Sequence, residues 1–303
     1  MPDQLSSLLN LLWEPLTFFS NEGMRIYWPY LLSGFAIALP VSYLRSGNVK
    51  RAVSEGLGLK HWWSASTLVD LQWVVLNHVL RVLVIVPLIG GQLGLAMLIN
   101  RWLYAHFGAG NYCAWGVLET SALLTFTIFL LDDFTRFCVH YLYHKVPLLW
   151  RFHAIHHSAA TLTPLTLYRI HFAEMFVNSC RSLLVIGSVS GVFIYVFDGS
   201  ISLVQVMGVS VLTMLFNFAG ANLRHSHVWI GFGPVERWLI SPAQHQIHHS
   251  IKPGHLDSNF GATLAIWDRW LGTWIRSKGE SVENIGLSGP PRKQSFFRDL
   301  TGI

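Results

Sequence analysis

The sequence predicts an all-α integral membrane protein with about four to five transmembrane helices, and three observations carry that prediction. Hydrophobic residues make up 52% of the 303 positions against 12% charged, a balance unlike that of soluble globular chains. Several apolar stretches approach the roughly 20 residues that a helical crossing requires. Aromatic residues reach 14%, including 13 Trp, which suits a chain held near lipid headgroups.

Taken in order, the predicted spans are 28–44, 71–99, 113–131, 182–197 and 201–220. The second contains His78, Arg81, Pro87, Gly90 and Gly91, so it starts in the aqueous phase and kinks, and its second half is the better crossing. Arg45, Lys50, Arg51 and Lys60 fill the loop after the first span, whereas the connection 101–112 has only Arg101. The positive-inside rule then puts the N-terminus outside and both 132–181 and the segment from 221 onward in the cytoplasm. A bacterial inner membrane and an endoplasmic reticulum would give the same orientation. Asp3, Glu14 and Glu22 precede the first base, Arg25, so no cleavable signal peptide is expected. The chain divides into an N-terminal membrane region (1–111), a histidine-rich region (112–276) and a flexible polar tail (277–303) containing Gly289, Pro290 and Pro291.

The formal charge of +5 comes from 21 Lys and Arg spread thinly along the chain, which excludes a nucleic-acid binder and reads as membrane topology. Cys113, Cys138 and Cys180 lack CxxC spacing, so neither a disulfide framework nor a thiolate zinc site is expected.

The 15 histidines carry the chemistry. His140 and His144 stand four apart on one predicted helix face. His153, His156 and His157 form HxxHH, and His245, His248 and His249 repeat it. At a background of about one His in twenty, a given HxxHH window arises by chance roughly once in 8,000. Packing gives no reason for adjacent histidine pairs, so the boxes read as metal ligands. Imidazole suits Fe, Zn, Cu or Ni, and eight ligands imply two metals because one ion takes four to six. Calcium and magnesium would need carboxylate clusters, and no HExxH motif supports a metal-plus-Glu hydrolase. The isolated His61, His78, His106 and His255 read as structural.

The segment 132–273 resembles the fatty acid hydroxylase and sterol desaturase superfamily of membrane di-iron oxygenases. DDFTRFCVHYLYH, with Asp133, is similar to the first box of that family. LLWRFHAIHHS, with Trp150 and Arg151, is similar to the second, and HQIHHS to the third. NFG (Asn259 to Gly261) and WDRWLGT (Trp267 to Thr273) resemble the segment that follows. ANLRHSHV places His225, and secondarily His227 where Asn is common, at a further ligand position of the family. YRIHFAE resembles R-x-H-P-x-E with Phe172 replacing Pro, so His171 is either a ligand or, with Glu174, a support for one, or else a histidine that anchors a helix start. Asp133, Glu174 and Asp268 are the acids nearest the boxes, expected to hold the outer N–H of metal-bound imidazoles unless they serve as helix caps or arginine partners. Arg136 and Arg151 could orient the same groups.

The resemblance implies two iron ions, O2 as co-substrate, and hydroxylation or desaturation of a lipid C–H bond in a sterol, fatty acyl chain or related molecule. The histidines then sit in a cytoplasmic helical cap. Electrons must come from a separate ferredoxin or cytochrome/reductase-type donor, because the chain has neither a dinucleotide fingerprint nor an iron-sulfur motif. Arg269, Arg276 and Lys278 offer such a donor a basic surface, or simply follow the positive-inside rule. A zinc-dependent membrane lipid hydrolase is the alternative, distinguished by metal and oxygen dependence. A haem carrier would place paired histidines deep in spans.

Overall fold

A computed structural model describes residues 13–109, 115–197, 211–289 and 294–300, with backbone only for 84–90 and 211–213. The chain is helical and no strand occurs among these residues; isolated bridges link Leu239 to Leu264 and Ser250 to Ile285.

Helix α1 (Trp28–Ser46) starts with Pro near its N-terminus and ends at left-handed Gly47, an ordinary start and stop. The short helix α2 (Val49–Leu57) folds back against it, capped by the Asn48 side chain on Arg51 N. Helix α3 (Ala65–Leu80), capped by Ser64, passes through a π-helical turn (Arg81–Ile85) into α4 (Val86–Phe107). The expected interruption of the 71–99 stretch is this turn, a known way of bending a helix. Helix α5 (Val117–Lys145) joins the third predicted span to the first histidine box without a break. Then come α6 (Pro147–His157), α7 (Phe172–Val196), α8 (Val211–Phe218), α9 (Pro242–His248), α10 (Ile266–Leu271) and α11 (Phe296–Leu300).

The most extensive helix contact joins α4 to α7. Gly187 and Gly191 make it possible: a Cβ on Gly187 would lie 2.9 Å from Leu95 Cδ2, and one on Gly191 would lie 2.7 Å from the Ala96 carbonyl oxygen. Glycines four apart let two backbones approach this closely, a packing device of membrane helices. Helix α7 is also the one helix among the described residues long and apolar enough to cross a membrane. It begins well before the 182–197 span expected from sequence. Of the fifth expected span, 201–220, residues 201–210 lie outside the described residues.

Part of the segment expected to be a loose tail, residues 294–299, is tied to the rest of the fold. Asp299 Oδ2 accepts a 2.7 Å bond from Arg169 Nη2, Gln294 donates to the Ser158 carbonyl at 3.0 Å, and the Phe296 ring meets Trp73 edge-on at 5.3 Å. Buried Arg169, which also reaches Asp70 at 3.3 Å, needs that second carboxylate. A polar composition therefore hid an anchor.

Candidate metal centre

Three short helical ends meet to form the site. His140 and His144 occupy the last turns of α5; His153, His156 and His157 end α6; His245 and His248 end α9, with His249 as its C-cap. Pro147 opens α6, while α9 is opened by Pro242 and a reciprocal Ser241–Gln244 capping box. The negative ends of three helices thus point toward the histidines, an arrangement that favours a cation.

The nine box and near-box histidines gather into two groups. One comprises His140, His144, His153, His157 and His248; the other His156, His225, His245 and His249; within each group one ligand atom per residue lies within 4.8 Å of the others. Each HxxHH box serves both groups. His153 and His157 go to the first and His156 to the second; His245 and His249 go to the second and His248 to the first. Adjacent helical residues diverge by about 100°, so neighbouring histidines face different positions.

Hydrogen bonds set which nitrogen faces inward. His140 Nδ1–H donates to the Phe260 carbonyl at 2.7 Å and His248 Nδ1–H to the Ser258 carbonyl at 2.8 Å. His153 Nδ1 lies 3.1 Å from Glu174 Oε2, and His144 Nδ1 lies 3.6 Å from Asp257 Oδ1. Their Nε2 lone pairs are left for the interior. Nε2 of His144, His157 and His248 and both ring nitrogens of His249 are buried without a hydrogen-bond partner. In the second group, His225 Nε2 is 3.2 Å from His156 Nε2 and 3.0 Å from His245 Nε2. Burial pushes the imidazolium pKa of His153 and His156 down to about 3 and those of His157, His225, His245, His248 and His249 well below the ordinary value. Neutral imidazoles clustered with unpartnered inward nitrogens fit transition-metal ligation; as a purely structural core they would leave an unusual number of buried polar atoms unsatisfied.

The remaining candidates lie elsewhere. His171 caps α7, its Nδ1 accepting from Ala173 N at 3.1 Å, and stacks on Phe152. It anchors a helix start outside both groups. His227 stacks on His61 at 4.3 Å and bonds the Glu55 carbonyl, so it too stands apart. His78 faces Glu14, His106 the Trp102 carbonyl and His255 Glu280.

Of the three acids, Glu174 alone touches a clustered histidine. Asp133 accepts from Thr263 N, Leu264 N and Trp267 Nε1 at 2.8, 3.1 and 2.8 Å, holding a loop rather than an imidazole. Asp268 accepts from Phe260 N and Gly261 N at 2.8 and 2.7 Å, and so positions the carbonyl that takes His140's proton. Arg136 pairs with Asp132 at 2.6 Å, and Arg151 is exposed; neither bonds a clustered imidazole.

Sequence reasoning missed the carbonyls of Ser258 and Phe260. Between them, Asn259 has φ of 53°, a left-handed conformation that Asn tolerates better than most residues. Its side chain bonds the Gln244 carbonyl and Ile275 N and O. The following Gly261 has no room for a Cβ, which would lie 2.6 Å from the Leu264 carbonyl oxygen. The NFG motif was the available signal; its side chains shape backbone that receives imidazole protons. Buried Glu236, accepting from Ser241 Oγ at 2.7 Å and Ser277 N at 3.0 Å, was also unforeseen.

A cavity of about 700 Å³ reaches both groups through His140, His153, His156, His225 and His245. It is large enough for a small ligand or part of a lipid.

Residues 125–273 match the family model described as fatty acid hydroxylase. The chain is 29% identical over 167 residues to ornithine lipid hydroxylase OlsE of Rhizobium tropici, covering 54% of this chain and 45% of that protein. It is 28% identical over 162 residues to alkylglycerol monooxygenase of Xenopus tropicalis (54% and 32%) and 25% identical over 180 residues to that of Homo sapiens (59% and 36%). The chain thus spans less than half the length of these curated relatives. No solved structure matches it. The matched region contains all nine clustered histidines, and with the box order, their convergence and these relatives, residues 125–273 belong to the fatty acid hydroxylase family.

Proposed function

We propose that this chain is a membrane-bound di-iron oxidoreductase that hydroxylates or desaturates a C–H bond of a lipid, using O2 and electrons from a separate donor. The observation that carries the reading is the pair of buried groups, five and four histidines, with their neutral nitrogens aimed inward. His140, His144, His153, His157 and His248 would hold one iron, and His156, His225, His245 and His249 the other. Bound there, the irons would supply activation of O2 for attack on an unactivated C–H bond.

The chain's own residues hold this arrangement in place. Glu174 and the carbonyls of Ser258 and Phe260 fix three rings in the tautomer that presents Nε2. The cavity against His140, His153 and His156 gives a lipid segment access and orients it, while the packed rings around it limit water. Relatives named as lipid hydroxylases and monooxygenases favour hydroxylation. Helix α7, and the exposed Leu44, Leu98, Leu118 and Leu184 on other long helices and on α7 itself, support several membrane crossings; Phe18 against Tyr168 and the Asn222 bond to the Arg25 carbonyl keep the residues before α1 on the histidine side, against the outside N-terminus expected from the charge pattern. Exposed Arg269, Arg276 and Lys278 provide a surface for an acidic ferredoxin or cytochrome-type donor.

Elemental analysis of the detergent-purified protein tests the reading. Two irons per chain are expected, lost together with activity in His156→Ala while membrane insertion persists. Zinc that alone restores activity, without any need for O2, would replace the oxygenase with a lipid hydrolase.

A further inference from the structure

The cavity that meets the histidines is bordered by an unusual number of cations. Arg25, Arg81, Arg136, Arg181 and Arg224 all line it, and Glu174, already engaged with His153, is the one carboxylate in the described lining. Three of the five are committed within the fold. Arg181 and Arg136 share Asp132 at 2.8 and 2.6 Å, and Arg224 donates to the carbonyls of Gly261 and Ala262.

Arg25 and Arg81 form no ion pair with any described carboxylate, and Glu14 pairs with His78. Arg25 and Arg224 also lie over the same Phe216 ring, at 5.5 and 5.9 Å from its centroid. Two guanidinium groups on one ring repel each other. Arg25 is pushed down to about 10, first by burial and then by the charge of Arg136. A partly desolvated cation without a counter-ion is costly, and an incoming anion relieves that cost.

We propose that Arg25, with Arg81, binds the anionic headgroup, phosphate or carboxylate, of a lipid whose hydrocarbon portion extends toward the histidines, making the chain selective for acidic over neutral amphiphiles. Guanidinium is suited to the task because its planar fork matches both oxyanions. This substrate class rests on the lipid-oxidising reading of the same cavity, but its test is binding and needs no turnover.

The experiment uses the full metal-loaded chain in neutral detergent and compares lysophosphatidic acid with a monoacylglycerol of the same acyl chain. A preference of about tenfold or more for the acidic lipid is expected, the scale of one charge-assisted hydrogen-bond set. Arg25→Gln should remove most of that preference with monoacylglycerol affinity unchanged, and Arg25→Lys should restore part of it. Inorganic phosphate should compete with the acidic lipid and leave monoacylglycerol binding alone. Should Arg25→Gln lose metal or helical content, Arg81→Gln provides the same comparison. Equal affinities in the wild type overturn the proposal. So does a preference undiminished in the Arg25→Gln/Arg81→Gln protein, or tight phosphate binding with no discrimination between lipids. A chain that oxidises lipid without charge preference would sink only this inference, whereas headgroup selectivity in a chain lacking iron would sink only the oxidase reading.

Discussion

Every imidazole in the centre except His225 has a defined outer partner or a defined orphaned nitrogen, and both have measurable consequences. Glu174 is the only side-chain carboxylate bonded directly to a clustered histidine within 3.5 Å among the described residues, at 3.1 Å from His153. Removing it in Glu174→Ala should weaken metal binding by about ten- to a hundredfold, because an unsupported ring loses basicity and orientation. Competition with a chelator of known affinity would measure this, and unchanged affinity would deny Glu174 its role. Burial also makes the metal-free site sensitive to pH. His153 and His156 are held near pKa 3 when folded, against an ordinary value of 6.5. The unfolded chain therefore binds protons first as pH falls, and stability conferred above pH 6.5 is lost progressively down to about 3, by at most ~1.4 kcal/mol per pH unit for each histidine. Chelator-treated protein should show a falling Tm from pH 7 to pH 5, and a flat profile would mean that these imidazoles protonate as readily folded as unfolded.

Among the elements, α5, α6 and α9 each bring histidines at a C-terminal turn, and α7 braces them through Glu174. The placement of α7 depends on its close approach to α4 at Gly187 and Gly191, where any side chain would collide with backbone or branched carbons. Gly191→Leu should force the helices apart and destabilise the protein by more than the ~1–3 kcal/mol typical of overpacking, because the Ala96 carbonyl cannot yield as a flexible side chain would. Thermal unfolding in detergent reads the effect. A near-native Tm would mean that the two helices are free to separate.

At the scale of the whole molecule, Arg169 ties three distant parts of the chain together. It reaches Asp70 on α3 and Asp299 on α11 from its position just before α7, and Asp299 also lies 3.5 Å from Ser158 Oγ at the end of α6. All of this is buried, so breaking one partner leaves charge without compensation. Asp299→Ala should cost about 3–5 kcal/mol, whereas a change at exposed Glu55, paired with Arg51 on the surface, should cost under about 1 kcal/mol. Denaturant unfolding of both variants would separate the two cases, and similar losses would show that α11 is not an anchor.

Apolar stretches near the roughly 20 residues of a helical crossing determined the helical class, because a strand crossing would need only about half that length. Spacing alone determined that the HxxxH and HxxHH residues belong together, since adjacent histidine pairs have no packing rationale. Which box serves which position was not legible: it depends on the relative rotation of α6 and α9, set by contacts more than 60 residues apart in sequence. The roles of His171 and His227 were equally hidden, because the same imidazole can cap a helix, stack on a ring or bind a metal, and only its neighbours decide. Asp133 and Asp268 were read from proximity in sequence, yet they hold the loop around Phe260, whose carbonyl completes the site. Local pattern thus singled out eight of the nine clustered histidines and the family resemblance the ninth, His225, while tertiary structure decided their division, their supports and the charge of the cavity that opens onto them. The reason is physical: ligand identity is a property of single residues, whereas orientation, desolvation and counter-charge are properties of what the fold brings beside them.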